Sequence, residues 1–354
     1  VEADDIDRDD PPAHRPAFPP GTPTAIGSLP HLDREAAVAE VLERFPELPA
    51  APSLPALDRR EGMVAQAAWG IRGVDVGPDG SLTVDPGALE PGAPLTDPEL
   101  DGPPFATLRA FLAAVAGRTD PIKVQLTGPV TLGLALRRAG VADELAYLVA
   151  GGAVRERAGH IVAAAMDATV APVVAFVDEP GLGCGPGGRA PDLGLAAEAV
   201  TDLVSGALAT LESSAVTGLH CCGSTDWRTV IQAGPDVLSV PVDAGPVAAG
   251  LIGAAGALIG FLERGGWVAW GAVPTDGPVG EGAARPWRVL SALWCELEQA
   301  GCDPVRLRRQ GLITPACGLG LHGLDQAGAV LDLTRLLADR LRHQVVGTKF
   351  SVGA

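Results

Sequence analysis

The chain has 354 residues, 47% of them hydrophobic and 19% charged, which suits one large α/β barrel or two modest domains. Its formal net charge of −17 argues against a nucleic-acid partner, which would need a basic face, and no run of about eighteen apolar residues predicts a membrane span. Six cysteines in a chain of this length do not make a disulfide framework, so the expectation is a soluble, cytoplasmic protein with reduced thiols.

Residues 1–20 are acidic and proline-rich with little to bury, and read as a disordered leader. The remainder, 21–354, reads as a single catalytic domain. Residues 24–28 predict a short strand ending in Gly27-Ser28, and Asp33 is placed to cap a helix running to about Phe45. A second extended stretch, 48–54, leads through Asp58-Arg59-Arg60-Glu61 to a short helix at 63–69. Gly77-Pro78-Asp79-Gly80 between two alternating segments predicts a small β-hairpin over 74–85. A proline-rich connection then reaches a helix at 105–116.

Beyond it, strand-like runs fall at 122–126, 173–177, 216–221, 237–242, 268–272 and 312–314. Alanine-rich helical segments separate them at about 142–168, 194–213, 225–233, 246–263, 285–300 and 324–343. With the two early strands this makes eight β units. Strands apolar on both faces, alternating with helices, indicate a parallel sheet covered on both sides. Eight units in this length favour a single (β/α)8 TIM barrel over an open doubly wound sheet. No Gly-x-Gly-x-x-Gly opens a helix after the first strand, so the nucleotide-binding signal is missing.

The chemistry gathers at predicted strand ends. In Gly218-Leu219-His220-Cys221-Cys222-Gly223, residues two apart on an extended strand share a side, so His220 and Cys222 can aim an imidazole and a thiol at one point while Cys221 points away. Nitrogen and sulfur ligands suit zinc, and Cys317, before Gly318 at another strand end, is the best third ligand. The alternative is that these are small buried cysteines beside a hydrogen-bonded histidine. Ser28, Thr127, Asp178, Glu179, Asp243 and Asp276 also fall at strand ends, where barrel enzymes keep their reactive groups; helix capping accounts equally well for Ser28, Asp243 and Asp276. Cys184 lies in a glycine-rich loop and Cys295 and Cys302 on or just past an outer helix, and all three read as incidental.

Six segments resemble the carboxy-terminal catalytic barrel of cobalamin-independent methionine synthase, within the uroporphyrinogen decarboxylase/methionine synthase superfamily. They are Ile26-Gly27-Ser28-Leu29-Pro30, Leu126-Thr127-Gly128-Pro129-Val130-Thr131, Val177-Asp178-Glu179-Pro180, His220-Cys221-Cys222, Asp236-Val237-Leu238-Ser239-Val240 and Pro315-Ala316-Cys317-Gly318-Leu319. They occur in the family's order. The resemblance implies zinc ligation by His220, Cys222 and Cys317, and binding of the amino-acid part of homocysteine by Ile26, Ser28 and Asp178. Where the family has a fourth ligand, a glutamate, Pro241 stands here, with Asp243 two residues on as the candidate substitute. The family's acidic residue after the second strand has Asp58 and Glu61 as its nearest counterparts, and a histidine after the seventh strand is replaced by Val273-Pro274-Thr275-Asp276.

The resemblance therefore implies a zinc-dependent methyltransferase that converts homocysteine, or a related thiol, to its S-methyl product. The methyl donor would be methyltetrahydrofolate or a methylcorrinoid. Only the thiolate attacks a methyl group well, and a free thiol is mostly protonated at neutral pH, so a metal that expels its proton is what this chemistry needs. No separate catalytic acid or base is assigned. Two alternatives remain: a degenerate barrel that binds metal or an amino-acid thiol without turnover, and a corrinoid-dependent thiol methyltransferase of the same superfamily. A decarboxylase is disfavoured, because a porphyrinogen pocket does not require His220, Cys222 and Cys317 to converge.

Overall fold

The structure, a computed structural model, describes residues 18–184, 191–243, 245–280 and 282–351. After an extended stretch at 22–28, helix α1 (Arg34–Arg44) begins where the Asp33 carboxylate accepts a hydrogen bond from Ala36 N at 3.0 Å, the cap the sequence predicts. A second extended stretch, 49–54, precedes α2 (Met63–Ala68). Strands β1 (Val74–Val76) and β2 (Leu82–Val84) pair antiparallel as the expected hairpin, and α3 (Ala106–Ala114) follows.

Parallel strands and helices then alternate: β3 (Ile122–Thr127), α4 (Pro129–Arg138), α5 (Asp143–Ala168), β4 (Val173–Asp178), α6 (Ala197–Ala209), β5 (Val216–His220), α7 (Trp227–Gln232) and β6 (Val237–Pro241). The chain continues through α8 (Pro246–Gly253), α9 (Ala255–Glu263), β7 (Trp267–Val273), α10 (Ala284–Gln299), α11 (Pro304–Arg309), β8 (Gly311–Pro315) and α12 (Leu324–Ser351). The six strands stand side by side in chain order, all parallel. Successive crossovers of one hand keep the helices on the outside, and the sheet curls into a half-barrel.

The two amino-terminal stretches are not ladder strands. They meet the sheet at isolated parallel bridges, Pro23 with Ile313, Ser28 with Ser53 and Ala50 with Lys123. Around these, Thr24 N donates to Ile313 O (3.1 Å), Ala51 N to Lys123 O (2.8 Å) and Lys123 N to Pro49 O (2.9 Å). Pro23, Pro49 and Pro52 have no N–H to give a ladder, which reduces two of the eight expected strands to bridges. Helices α4 and α11 were not anticipated, although both start with proline at the first helical position, a known start signal. The helix expected at 246–263 is two, broken at Ala254. Among the described residues, no single helix is long and apolar enough to cross a membrane.

The core has two layers. Inside the curl, Phe18, Leu48, Val174, Phe176, Val216, Val237, Ala269 and Leu312 pack together, and the Phe18 ring meets Trp267 edge-on at 5.4 Å. The end of the expected leader is therefore part of the core, while residues 1–17 lie outside the described residues. Outside the curl, a larger cluster joins strands to helices and contains the Trp270, Trp294 and Trp287 contacts.

Candidate metal centre

Register places the site. Asp178 on β4 pairs with His220 on β5, and His220 pairs with Ser239 on β6. Paired residues of parallel strands present their side chains to the same face, so these three form a row near the carboxyl ends of the strands. Cys222 follows two residues beyond His220, and Cys317 two beyond the end of β8. The ligand atoms of His220, Cys222 and Cys317 all lie within 4.8 Å of one another. Cys221 points away and is fully buried in the outer core, where burial holds its thiol protonated.

Cys317 is brought here by a tertiary clasp. Leu319 N donates to Ser28 O at 2.8 Å and Gly320 N to Ser28 Oγ at 3.2 Å, tying the loop after β8 to the Ile26-Gly27-Ser28 segment. Hydrogen bonds from Cys222 and His220 lower the pKa of Cys317. The same bond to Cys317, together with burial, raises that of Cys222. Two thiols this close share a proton, and Cys317 is the one that gives it up first.

A cavity of about 320 Å³ opens over this group, and Ile26, Ser28, Asp178, His220, Cys222 and Cys317 all line it. Asp178 Oδ1 is buried without a hydrogen-bond partner. Burial pushes this carboxyl up, against the pull of His220 and Lys123 toward the charged form. Lys123 is itself buried, donating to Ile26 O at 2.6 Å and Gln125 Oε1 at 3.1 Å, and burial lowers its pKa to about 8. Gly27 has φ 151°, and a Cβ there would lie 2.5 Å from the Gln125 amide; only glycine lets this segment cross so close above β3.

Several expected site residues lie elsewhere. Asp243 is exposed, and its Oδ1 accepts from Gly245 N at 2.9 Å; it is not brought to the His–Cys–Cys group. Asp58 caps the turn at Arg59–Glu61 and pairs with Arg60 at 2.8 Å, outside the cavity. Glu61 lines the cavity instead, with its oxygens committed to Leu54 N, Thr107 N and Thr107 Oγ1. Asp276 has its carboxylate in solvent. Thr127 lines the cavity while its hydroxyl donates to Met63 O at 2.7 Å. Sequence reasoning assigned no role to Lys123 or Ser239. A lysine inside an apolar strand was the signal for Lys123; Ser239 has none without the register.

The donor set suits zinc: one imidazole nitrogen and two thiols. His220 Nδ1 is occupied by Ser239 Oγ at 2.8 Å, which leaves Nε2, the nitrogen on the side of Cys317, as its candidate ligand atom. No family model and no curated protein matches the chain. Solved structures do. A methyltransferase from Methanosarcina mazei is 18% identical at TM-score 0.54, covering 90% of this chain and 94% of that one. A B12-independent methionine synthase from Shewanella sp. W3-18-1, in complex with selenomethionine, is 14% identical at TM-score 0.59, covering 93% and 99%. The chain shares its fold with both.

Proposed function

We propose that the chain is a zinc-dependent methyltransferase acting on the thiol of homocysteine or a related amino-acid thiol. Its framework would be an eight-unit (β/α) barrel in which 22–28 and 49–54 serve as the first two strands. The observation that carries this reading is the convergence of His220, Cys222 and Cys317 beside the unpaired Asp178 Oδ1 in one cavity. When bound there, zinc supplies a Lewis acid that keeps a substrate thiol ionised at neutral pH.

The chain's own residues do the rest. His220, Cys222 and Cys317 would hold the metal. Asp178 takes the substrate ammonium, and the Ile26-Gly27-Ser28 segment orients the amino-acid end. Lys123, pinned under Ile26 O, holds that segment at its height. A small amino acid fills only part of the cavity, so the methyl group of the donor enters beside it, and holding the two together supplies the rate. Among the described residues, no lysine or arginine lines the cavity.

A second reading, a corrinoid-dependent thiol methyltransferase, is favoured by one feature: three protein ligands without a fourth carboxylate, since Pro241 replaces the family glutamate and Asp243 is exposed. Zinc-loaded protein given homocysteine and either methyl-labelled methyltetrahydrofolate or methylcobalamin distinguishes the donors. Labelled methionine from one of them is expected. A zinc-loaded protein that binds no homocysteine overturns the assignment.

A further inference from the structure

We infer that Ser239 is a positioning residue for the metal centre, fixing the ring orientation and tautomer of His220. The inference rests on the metal-binding part of the proposed function and on geometry that part does not use. Ser239 lies one strand away from His220 and in register with it. Its hydroxyl is 2.8 Å from His220 Nδ1. Both residues are buried, Ser239 at 1% and His220 at 4% exposure, so water does not compete for that nitrogen.

A neutral imidazole carries one proton, on either nitrogen. With the proton on Nδ1 and donated to the serine oxygen, Nε2 keeps its lone pair toward the cysteines. With the proton on Nε2, the face toward Cys222 and Cys317 offers a donor in place of a ligand. A hydrogen bond to the far nitrogen is the means by which metal-binding histidines are held in the ligating form, and losing it costs metal affinity. Asp178, in register on the other side, flanks the ring but accepts no hydrogen bond at Oδ1. Among the described residues, Ser239 is the only hydrogen-bond partner recorded for His220 Nδ1.

The test measures zinc affinity by chelator competition in the unaltered protein and in Ser239→Ala, Ser239→Thr and Thr217→Ala. Thr217 is a buried β5 residue whose hydroxyl pairs with Asp236, so its variant reports general loosening of the barrel. Ser239→Ala is expected to bind zinc about 10–100-fold more weakly, Ser239→Thr to stay near the unaltered value, and Thr217→Ala to leave affinity unchanged. Nitrogen-15 spectra of the zinc-loaded protein should show His220 bound through Nε2 with its proton on Nδ1, and faster exchange of that proton in Ser239→Ala. Unchanged affinity and unchanged Nδ1 proton exchange in Ser239→Ala, while the unaltered protein binds zinc, overturns the inference alone. Equal losses in Ser239→Ala and Thr217→Ala also overturn it. A protein that takes up no zinc at all overturns the metal reading and the inference with it.

Discussion

Glu179 and Thr131 are locked together at the start of α4. The Glu179 carboxylate accepts from Thr131 N at 2.8 Å and Thr131 Oγ1 at 2.6 Å, and from the neighbouring Val130 N at 2.8 Å. It thereby satisfies amide donors that a helix start leaves open. Gly128 makes room for it, since a Cβ there would lie 2.2 Å from Glu179 Oε1. The Asp178-Glu179 pair thus divides its labour: one carboxylate faces the cavity and the other caps a helix.

Glu179→Gln should destabilise the fold by about 1–3 kcal/mol, because an amide nitrogen replaces an acceptor facing a backbone N–H. Burial raises the Glu179 pKa from 4.5 to about 7, so between those values the folded protein holds a proton that the unfolded chain has lost. The stability tied to this group is therefore full below about 4.5 and falls as pH rises to about 7, by up to ~3 kcal/mol. Denaturant unfolding of both proteins across pH 5–7.5 should show that slope in the unaltered protein and a flatter one in Glu179→Gln. Parallel curves would remove Glu179 as the cause.

Lys123 should act with the opposite sign. Burial lowers its pKa from 10.5 to about 8, so between these values the unfolded chain holds the extra proton. Stability tied to Lys123 then rises with pH through that window, again by up to ~3 kcal/mol. Lys123→Met should lose this rise. It should also weaken homocysteine binding, because the Ile26 carbonyl loses its 2.6 Å partner. Calorimetry and unfolding at pH 8 and 10 read both effects.

Cysteine substitutions should separate by position. Cys222→Ser and Cys317→Ser should lose bound zinc, since a neutral hydroxyl is a far poorer ligand than a thiolate. Cys295 is exposed on α10, and Cys295→Ser should retain it. Elemental analysis after purification under reducing conditions decides; equal loss from all three would indicate unfolding instead of ligation.

Asp243→Ala should leave zinc content unchanged, because Asp243 is exposed and its contact is with Gly245 N. Loss of zinc in this variant would mean that the loop after β6 folds over the site when metal binds.

Asp178→Asn should weaken homocysteine binding at least about tenfold while zinc stays bound. Unpairing a buried ammonium costs about 2–5 kcal/mol, and each 1.4 kcal/mol is about a factor of ten. Titration calorimetry on zinc-loaded proteins measures it, and unchanged affinity would leave Asp178 without a substrate role.

Much of this molecule could be read along the chain. Strand-like runs of three to six residues marked all six strands of the sheet, Gly77-Pro78-Asp79-Gly80 marked the hairpin, and the spacing of His220 and Cys222 marked two side chains that converge past a strand end. These are local signals: they depend on side-chain alternation, turn chemistry and capping within a few residues. Even the reduction of the first two stretches to isolated bridges was signalled locally by Pro23, Pro49 and Pro52. What only the tertiary structure decided is which polar group faces which. Asp243 and Asp58 sit at plausible positions in sequence, yet one ends in solvent and the other in a pair with Arg60. Ser239 looks like any strand serine until register sets it opposite His220. Cys317 reaches His220 and Cys222 because its loop is clasped to Ser28 by a hydrogen bond spanning 292 residues of sequence. Such contacts follow from sheet register and from how the ends of the curled sheet meet the amino-terminal segments, and both are properties of the packed chain that no short stretch of sequence contains.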